Sequence, residues 1–481
     1  MAAPSFDTVP DDLLCEIFLL CLPTNRWEVT PSPSEPPTVL TLVCKRWRSV
    51  AVALPSLWCW MTLCPPKRVW KNHKACQRTI KNFRGVLNRS KSMPLSLMLK
   101  SVVVEAKDVI INTFLRRALQ VATSPLTRLV LFAVPVCQLE KLAPGVFPSL
   151  QSLVFCMADS GQEDGIGSVI AFRDAPCLRR VVLDTTPFAY AGTLRLVLPW
   201  RQLTHFFDYD VYHPCTPLFT RHIIEQKPQL RWLGLHIAED ETERAGGGPW
   251  EQPIGLDCMT MDTVVTLSLN FEWEIGYLGL FDWVTFPNLR TLRLTAMEAG
   301  SMKGHADRFF AQLQRFKKLE FLSIKVNTRN PDVLESIFKA VPTIRTLHIF
   351  LNGSSATILQ LLETNQELLP HLHTLAFASW APEETKPVPC WIPAPGLQSL
   401  LEARASGVHP TSRLTKLIVR GCEASDKREF VQVIRKFVEI GELVLERQVE
   451  ERNAEMWMEM DPGSQGWEEA GEAAHFMATL Y

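Results

Sequence analysis

"LRTLRLTAMEAGSMKGHADRFFAQLQRFKKLEFLSI", Leu289 to Ile324, decides how this chain folds. It opens and closes on one phrase, aliphatic at its first, fourth and sixth positions: Leu289, Leu292 and Leu294, then Leu319, Leu322 and Ile324. Between them, "ADRFFAQLQRF" is apolar at helical spacing. Successive strand side chains point to opposite faces, so each phrase makes a short strand with one buried face. One strand and one helix cannot cover their own apolar faces. The unit has to stack on copies of itself.

The copies are present. With other aliphatics or Phe allowed, the phrase begins at Leu126, Leu150, Leu178, Leu203, Leu230, Val264, Leu289, Leu319, Ile344, Leu372, Leu414 and Ile440. At Leu203 the sixth slot fails, being Asp208. Before Ile344, "PDVLESIFKAV" again reads as a helix. The spacings run from 24 to 42 residues, most near the length of leucine-rich repeats, which the pattern resembles. The Asn or Cys that closes such a repeat occurs only as Asn327, Asn352 and Cys422. The expectation is an irregular α/β solenoid of strand–helix repeats. Two long intervals carry insertions: acidic, glycine-bearing Ala238–Gly255, and Pro-rich Ala381–Gly396, which should run extended over the surface.

Composition sets the class. The chain has 481 residues, 47% hydrophobic and 21% charged, too long for one ordinary core unless that core extends along a repeat. Its 13 Cys show no CxxC and no regular framework, which reads as reduced thiols in a cytoplasmic or nuclear protein. No apolar run is long enough to span a membrane, and Asp7, Asp11, Asp12 and Glu16 break any signal-peptide pattern. The net charge of −1 hides an asymmetry: from Pro36 to Val104 there are thirteen Lys or Arg and no acid. The segment Glu446–Tyr481 carries nine acids against two bases.

Chemistry-bearing motifs are missing. His371/His373 and His213/Cys215 have no companion ligands at metal spacing, and no nucleophile elbow, dinucleotide fingerprint or zincin motif occurs. Nothing calls for a cofactor, a metal or a catalytic residue.

The N-terminus is informative in another way. In "VPDDLLCEIFLLCLP" (Val9–Pro23), Leu13, Leu14, Ile17, Phe18 and Cys21 read as one stripe on a helix begun at Pro10, with Asp11 and Asp12 at its positive end. In "LTLVCKRWRSVAVALPSLWCWMTL" (Leu40–Leu63), Leu42, Val43, Trp47 and Val50 continue a second stripe from Val39, and "LPSLW" turns the chain at Trp58. Two small helices cannot bury so much apolar surface between them.

At these residues the chain resembles the F-box, through Val9-Pro10, Leu13 to Phe18, Val43 to Arg48, and Leu57-Trp58. With "LNRSKSMPLSLML" and "LPWRQLTHF" further on, it is similar to the F-box proteins expanded in mushroom-forming fungi. The resemblance implies a non-catalytic substrate receptor of a cullin–RING ubiquitin ligase. Pro10, Leu13, Leu14, Ile17, Phe18, Leu42, Val43, Trp47, Leu57 and Trp58 would then dock on a Skp-type adaptor, and the repeats would bind a protein target. The division expected is an all-α F-box at 1–64, a basic linker helix at 65–91, the solenoid at 92–446 and an acidic tail at 447–481.

Residues two, four and six places after each first aliphatic should face the concave side. That places His205, Phe207 and Tyr209 beside Trp232 and His236 as a candidate substrate patch, with a core role for these aromatics as the alternative. Two other readings of the whole stay open. One is a scaffold that binds the adaptor without ubiquitination. The other takes the basic neck, where Lys71, Lys74, Arg78, Lys81 and Arg89 lie mostly off the apolar set Cys76, Ile80, Phe83 and Leu87, as a nucleic-acid-binding arm.

Overall fold

The computed structural model describes residues 9–24, 26–64, 73–100, 114, 116–119, 126–132, 134, 139–156, 168–184, 196–208, 217–226, 228–237, 259–271, 280–281, 283–297, 306–326, 331–351, 355–365, 367–379, 390–405, 413–420, 422–424, 427–439 and 444–448. The insertion Ala238–Gly255, Asn327, Asn352, Tyr209, Lys71 and residues 449–481 lie outside them. The fold is mixed α/β, solenoid-like, and built on parallel strands. The chain divides into two compact units: Met1–His213 with Ile223–Pro228 and Ala454–Tyr481, and Pro214–His222 with Gln229–Asn453.

In the first unit, β1 (Trp60–Leu63), β2 (Leu95–Lys100), β3 (Leu126–Phe132), β4 (Ser152–Cys156), β5 (Arg180–Asp184) and β6 (His205–Asp208) lie side by side in chain order. Every pairing is parallel. Met61, Leu97, Leu129, Leu153, Val181 and Phe206 fall in one cross-strand column, each at most 1% exposed. The same register puts Asp208 beside Leu183, where it is buried.

The helices α1 (Asp11–Leu20), α2 (Leu40–Val43) and α3 (Lys45–Ala53) precede β1, and α4 (His73–Ser90) joins β1 to β2. A parallel pair needs such a crossover. Ile80, Phe83, Val86 and Leu87 of α4 are buried while Arg78, Lys81 and Arg84 are exposed. The basic helix is therefore the crossover of a repeat rather than a linker, and the sheet begins at Trp60 instead of residue 92.

The phrase at one-four-six spacing misses these two strands for a geometric reason. Leu95 and Leu97 are two residues apart where Leu126 and Leu129 are three, and the β2–β3 register shifts between Leu95 and Ser96 to absorb the difference. In β1 the interval from Leu57 to Met61 is four.

A short helix α5 (Pro217–Glu225) precedes the second unit's first strand. That unit orders its main strands as β7 (Trp232–Ile237), β9 (Thr266–Phe271), β11 (Thr291–Met297), β12 (Phe321–Val326), β13 (Thr346–Leu351), β14 (Thr374–Ser379), β16 (Lys416–Arg420) and β18 (Val444–Gln448). Two short pairs flank them, β8 (Met259–Thr260) with β10 (Val284–Thr285) and β15 (Cys390–Ile392) with β17 (Cys422–Ala424).

The fourth slots of seven repeats align, and Leu233, Leu267, Leu292, Leu322, Leu347, Leu375 and Leu417 form one column. The last strand joins it through Leu445, the sixth slot of the phrase begun at Ile440, two residues later than the phrase predicts. Leu233 through Leu417 are each 0% exposed. At about 1.5–3 kcal/mol per fully buried leucine, this column is a main source of the unit's stability.

Against these strands lie α6 (Ala306–Leu313), α7 (Pro331–Ala340), α8 (Ala356–Thr364), α9 (Ala394–Ala405) and α10 (Lys427–Glu439). Each buries an apolar stripe, for example Leu334, Ile337 and Phe338 of α7. The Pro-rich insertion departs from its expected extended course only at its end, from Ala394. Residues 381–389 are outside the described set, but Cys390–Ile392 is a strand and Ala394 opens a helix, because Pro395 is favoured in a helix's first turn.

Arg404 of α9, 3% exposed, donates its guanidinium N–H groups to the carbonyls of Leu368 (2.8 Å), Leu369 (3.4 Å) and Leu362 (3.5 Å). Leu362 lies in the last turn of α8 and Leu368 and Leu369 in the segment that follows it, so Arg404 ties the two together. Burial holds the Arg404 guanidinium below its ordinary range.

Candidate docking surface

Helix α1 starts after Pro10, whose φ of −55° suits the entry to a helix, and Asp11 and Asp12 occupy its positive first turn. Its apolar residues stand at adjacent positions, so they form two stripes about 100° apart rather than one. Leu14 and Phe18 are each 0% exposed, whereas Leu13 is 55% and Leu20 83% exposed. Ile17, four residues after Leu13, is half-buried on the outward side.

The inward stripe is held by α3. Phe18 meets Trp47 with ring centroids 5.0 Å apart. Arg46 Nη2 lies 2.6 Å from Asp11 Oδ1 and also donates to the Val9 carbonyl. Burial first, then the Asp12, Asp11 and Glu16 carboxylates, raise the Cys15 thiol above its ordinary range.

The second apolar stretch is not one helix. Cys44 is extended (φ −154°, ψ 173°), ending α2 and starting α3. Its Sγ accepts the Trp47 N–H at 3.4 Å, and Arg48 Nε donates to the Thr41 carbonyl at 2.8 Å across the break. A thiol acceptor and a cross-break guanidinium replace the helical bonds lost there. Leu42 and Val43, ahead of the break, are 55% and 57% exposed, while Leu40 and Val50 are buried.

The end of the segment is locked to the sheet. The Trp58 indole N–H donates to the Ala51 carbonyl at 2.8 Å, and the Arg89 guanidinium sits 4.5 Å from its ring centroid. Trp27 packs edge-on against Trp60 at 4.9 Å, and Thr62 N–H of β1 donates to the Val29 carbonyl at 2.7 Å. Trp58 is 0% and Leu57 1% exposed.

The ten residues expected to meet an adaptor therefore separate. Pro10, Leu13, Leu42 and Val43 are exposed, and Ile17 and Trp47 half-buried. Leu14, Phe18, Leu57 and Trp58 are internal, so a partner cannot reach them on this surface. They are corrected from anchors to core, because a segment this short must spend its largest side chains on its own seam with α3 and β1. Leu20 and Val52 were missed. Leu20 stands seven residues after Leu13, a spacing that marks the same face.

Five of the nine large apolar side chains exposed among the described residues lie between Leu13 and Val52: Leu13, Leu20, Leu42, Val43 and Val52. This concentration of exposed apolar side chains makes the segment the candidate for an interaction region. The groups it offers are suited to binding rather than proton transfer. Among the described residues no cluster of three metal-ligating side chains occurs, and no helix is long and apolar enough to cross a membrane.

The candidate substrate patch is not an exposed surface. Phe207 is 2%, Trp232 8% and His236 3% exposed, and His205 is half-buried with Nδ1 2.7 Å from the Thr204 hydroxyl. Tyr209 lies outside the described residues. The strand face opposite the leucine column is largely closed elsewhere too: Arg293, Ser323 and His348 are each at most 2% exposed, with Ser323 Oγ 3.2 Å from His348 Nδ1.

No protein-family model matches the chain, and no curated protein matches it. Among solved structures, one similar chain is a Bacteroides fragilis protein determined as a structural-genomics target. It is 11% identical over 57% of this chain and 66% of that one, with a TM-score of 0.32. The match spans less than two thirds of that protein's length, and at that score it carries no argument.

Proposed function

We propose that this chain is an F-box-type substrate receptor of a cullin–RING ubiquitin ligase, in which α1–α3 dock on a Skp-type adaptor and leucine-rich-repeat-like strands and helices present a protein target. The observation that carries this reading is the outward apolar set Leu13, Leu20, Leu42 and Val43, gathered in one short helical segment that has already buried Leu14, Phe18 and Trp58 for itself. The F-box-like pattern supplies the identity of the partner; the exposure supplies the reason one is needed.

Removing those four side chains from water yields about 4–8 kcal/mol gross, allowing for their partial burial already. That is enough to drive a micromolar contact once ordering costs are met by surrounding polar pairs. Calorimetry of the full chain against a Skp-type adaptor tests the reading. Binding should fall about 100-fold or more in a Leu13→Asp, Leu42→Asp double variant whose circular dichroism is unchanged. An unmodified chain that binds no adaptor would remove the reading. Adaptor binding without ubiquitin transfer to any co-purified protein would leave a scaffold.

A further inference from the structure

The 13 cysteines carry no sequence motif, yet the fold sets two of them opposite each other. Cys390 opens β15 and Cys422 opens β17, and the two are Cα partners in the parallel register of that pair. Both belong to the second unit. No other strand pairing among the described residues sets two cysteines in register. Neighbouring strands lie about 4.8 Å apart, within the Cα separation of about 4.4–6.8 Å that a disulfide spans. Positions in register also share one face of the pair.

Both strands are fixed by other parts of the unit. Ser355, 0% exposed at the start of α8, donates its backbone N–H (3.0 Å) and its hydroxyl (3.2 Å) to the Trp391 carbonyl of β15. β17 follows β16 after Gly421 alone, and β16 is paired on both sides, with β14 and β18. Alternation puts position 390 on the face of Ile392, which is 1% exposed, and opposite that of Trp391, which is 38% exposed. The repeat pattern accounts for only one of the two cysteines. Cys422 stands where such a repeat closes on Asn or Cys, whereas Cys390 lies in the Pro-rich insertion, where the phrase calls for no cysteine.

We propose that Cys390 and Cys422 form a reversible disulfide, a redox lock tying β15 to β17, made by exchange with a small-molecule disulfide such as oxidised glutathione. The thiolate of one cysteine attacks a sulfur of the small disulfide, expels one small thiolate and leaves a mixed disulfide on the chain. The thiolate of the other cysteine then attacks the protein sulfur of that mixed disulfide. The Cys390–Cys422 bond forms and the second small thiolate departs. The two protons lost by the protein thiols pass to the two released thiolates, so two protein thiols are oxidised and one small disulfide is reduced. In a reducing compartment the pair stays open, and closure answers a rise in oxidant. Closed, it makes a ring from residue 390 to residue 422 that includes α9 and β16, which restricts the unfolded chain.

Redox titration of the full chain tests this. In buffers of reduced and oxidised glutathione, with free thiols then alkylated, peptide mass spectrometry should find a linked peptide joining Cys390 to Cys422. Excess reductant should remove it. Differential scanning calorimetry should place the second unit's midpoint about 4–16 °C higher in the oxidised chain than in the reduced one. Cys390→Ser should abolish both the linked peptide and the shift, with the circular dichroism of the reduced chain unchanged. The linked peptide is read in the unmodified chain, so that arm decides the matter even where a variant folds poorly. Glutathione adducts at Cys390 or Cys422 with no linked peptide, or linkage spread over other cysteines, would overturn the proposal. So would a midpoint shift that survives Cys390→Ser.

Discussion

Truncating one residue from each stripe of α1 is the most direct test of the two-stripe helix. Phe18 is 0% exposed and its ring centroid lies 5.0 Å from that of Trp47, so Phe18→Ala removes a fully buried ring and leaves a cavity against α3. Losses of this kind cost about 3–5 kcal/mol. Leu13 is 55% exposed, and Leu13→Ala should stay within about 0.5 kcal/mol, as surface substitutions do. For a unit of roughly 200 residues each kcal/mol moves the midpoint by about 2–4 °C, so Phe18→Ala should lower it by about 6–20 °C. Leu13→Ala should move it by no more than about 2 °C. Differential scanning calorimetry gives the midpoints, and amide exchange locates the loss in α1 and α3. Adaptor affinity measured well below both midpoints should rank the other way, falling in the Leu13 variant more than in the Phe18 variant. Equal destabilisation by the two substitutions would refute the two-stripe account, and with it the assignment of Phe18 to core.

Arg404→Met should destabilise the second unit by about 2–4 kcal/mol in denaturant titration, because it strips donors from three carbonyls in and just after α8 while relieving one buried charge. Arg46→Ala should cost less than about 1 kcal/mol in the same assay, its Asp11 partner being 64% exposed. Leu347→Ala, at 0% exposure in the middle of the leucine column, should cost about 2–5 kcal/mol. Burial raises the Cys59 thiol, and a raised folded-state value contributes stability that is complete below the unfolded thiol range and lost as pH climbs through the folded value. Alkylation at pH 8 should accordingly spare Cys59 and label exposed Cys21 and Cys44 first, read by peptide mass spectrometry.

The repeat was legible because one phrase carries its own register. Eleven beginnings, from Leu126 to Leu414, lead strands of the parallel array in the phrase's own register, including the one at Leu203 whose sixth slot is Asp208. At Ile440, outside the described residues, the strand follows two residues later than the phrase sets it. The helices before Leu319 and Ile344 also lie where apolar periodicity put them. Illegible were β1 and β2, whose apolar intervals are one residue longer and shorter than the phrase, so that a fixed spacing passes over them. With them went the first boundary. A basic helix between two unrecognised strands looks like a linker, whereas between two parallel strands it is a crossover. The burial of Phe207, Trp232 and His236 was not legible either, since alternation assigns a side chain to a face without saying what covers that face.

The N-terminal segment shows what periodicity leaves undetermined and what chemistry can add. Leu13 with Ile17 and Leu14 with Phe18 are equally good helical stripes, and hydrophobicity alone cannot say which one the chain keeps for itself. Polar handles break the tie. A buried indole needs an acceptor for its N–H, and the helix end at Ala51, seven residues before Trp58, offers an orphan carbonyl within reach. Trp58 therefore turns inward, where Arg89 covers its ring. On the other side Arg46 ties Asp11 to α3, fixing α1's rotation so that Leu14 and Phe18 face α3. With that rotation set, Leu13, Ile17 and Leu20 have no face left but the outer one. Leu42 and Val43 join them as exposed apolar side chains, because the extended Cys44 ends α2 before they can turn under. The outward apolar surface is thus a by-product of satisfying polar groups inside, and the docking partner proposed above would remove its cost.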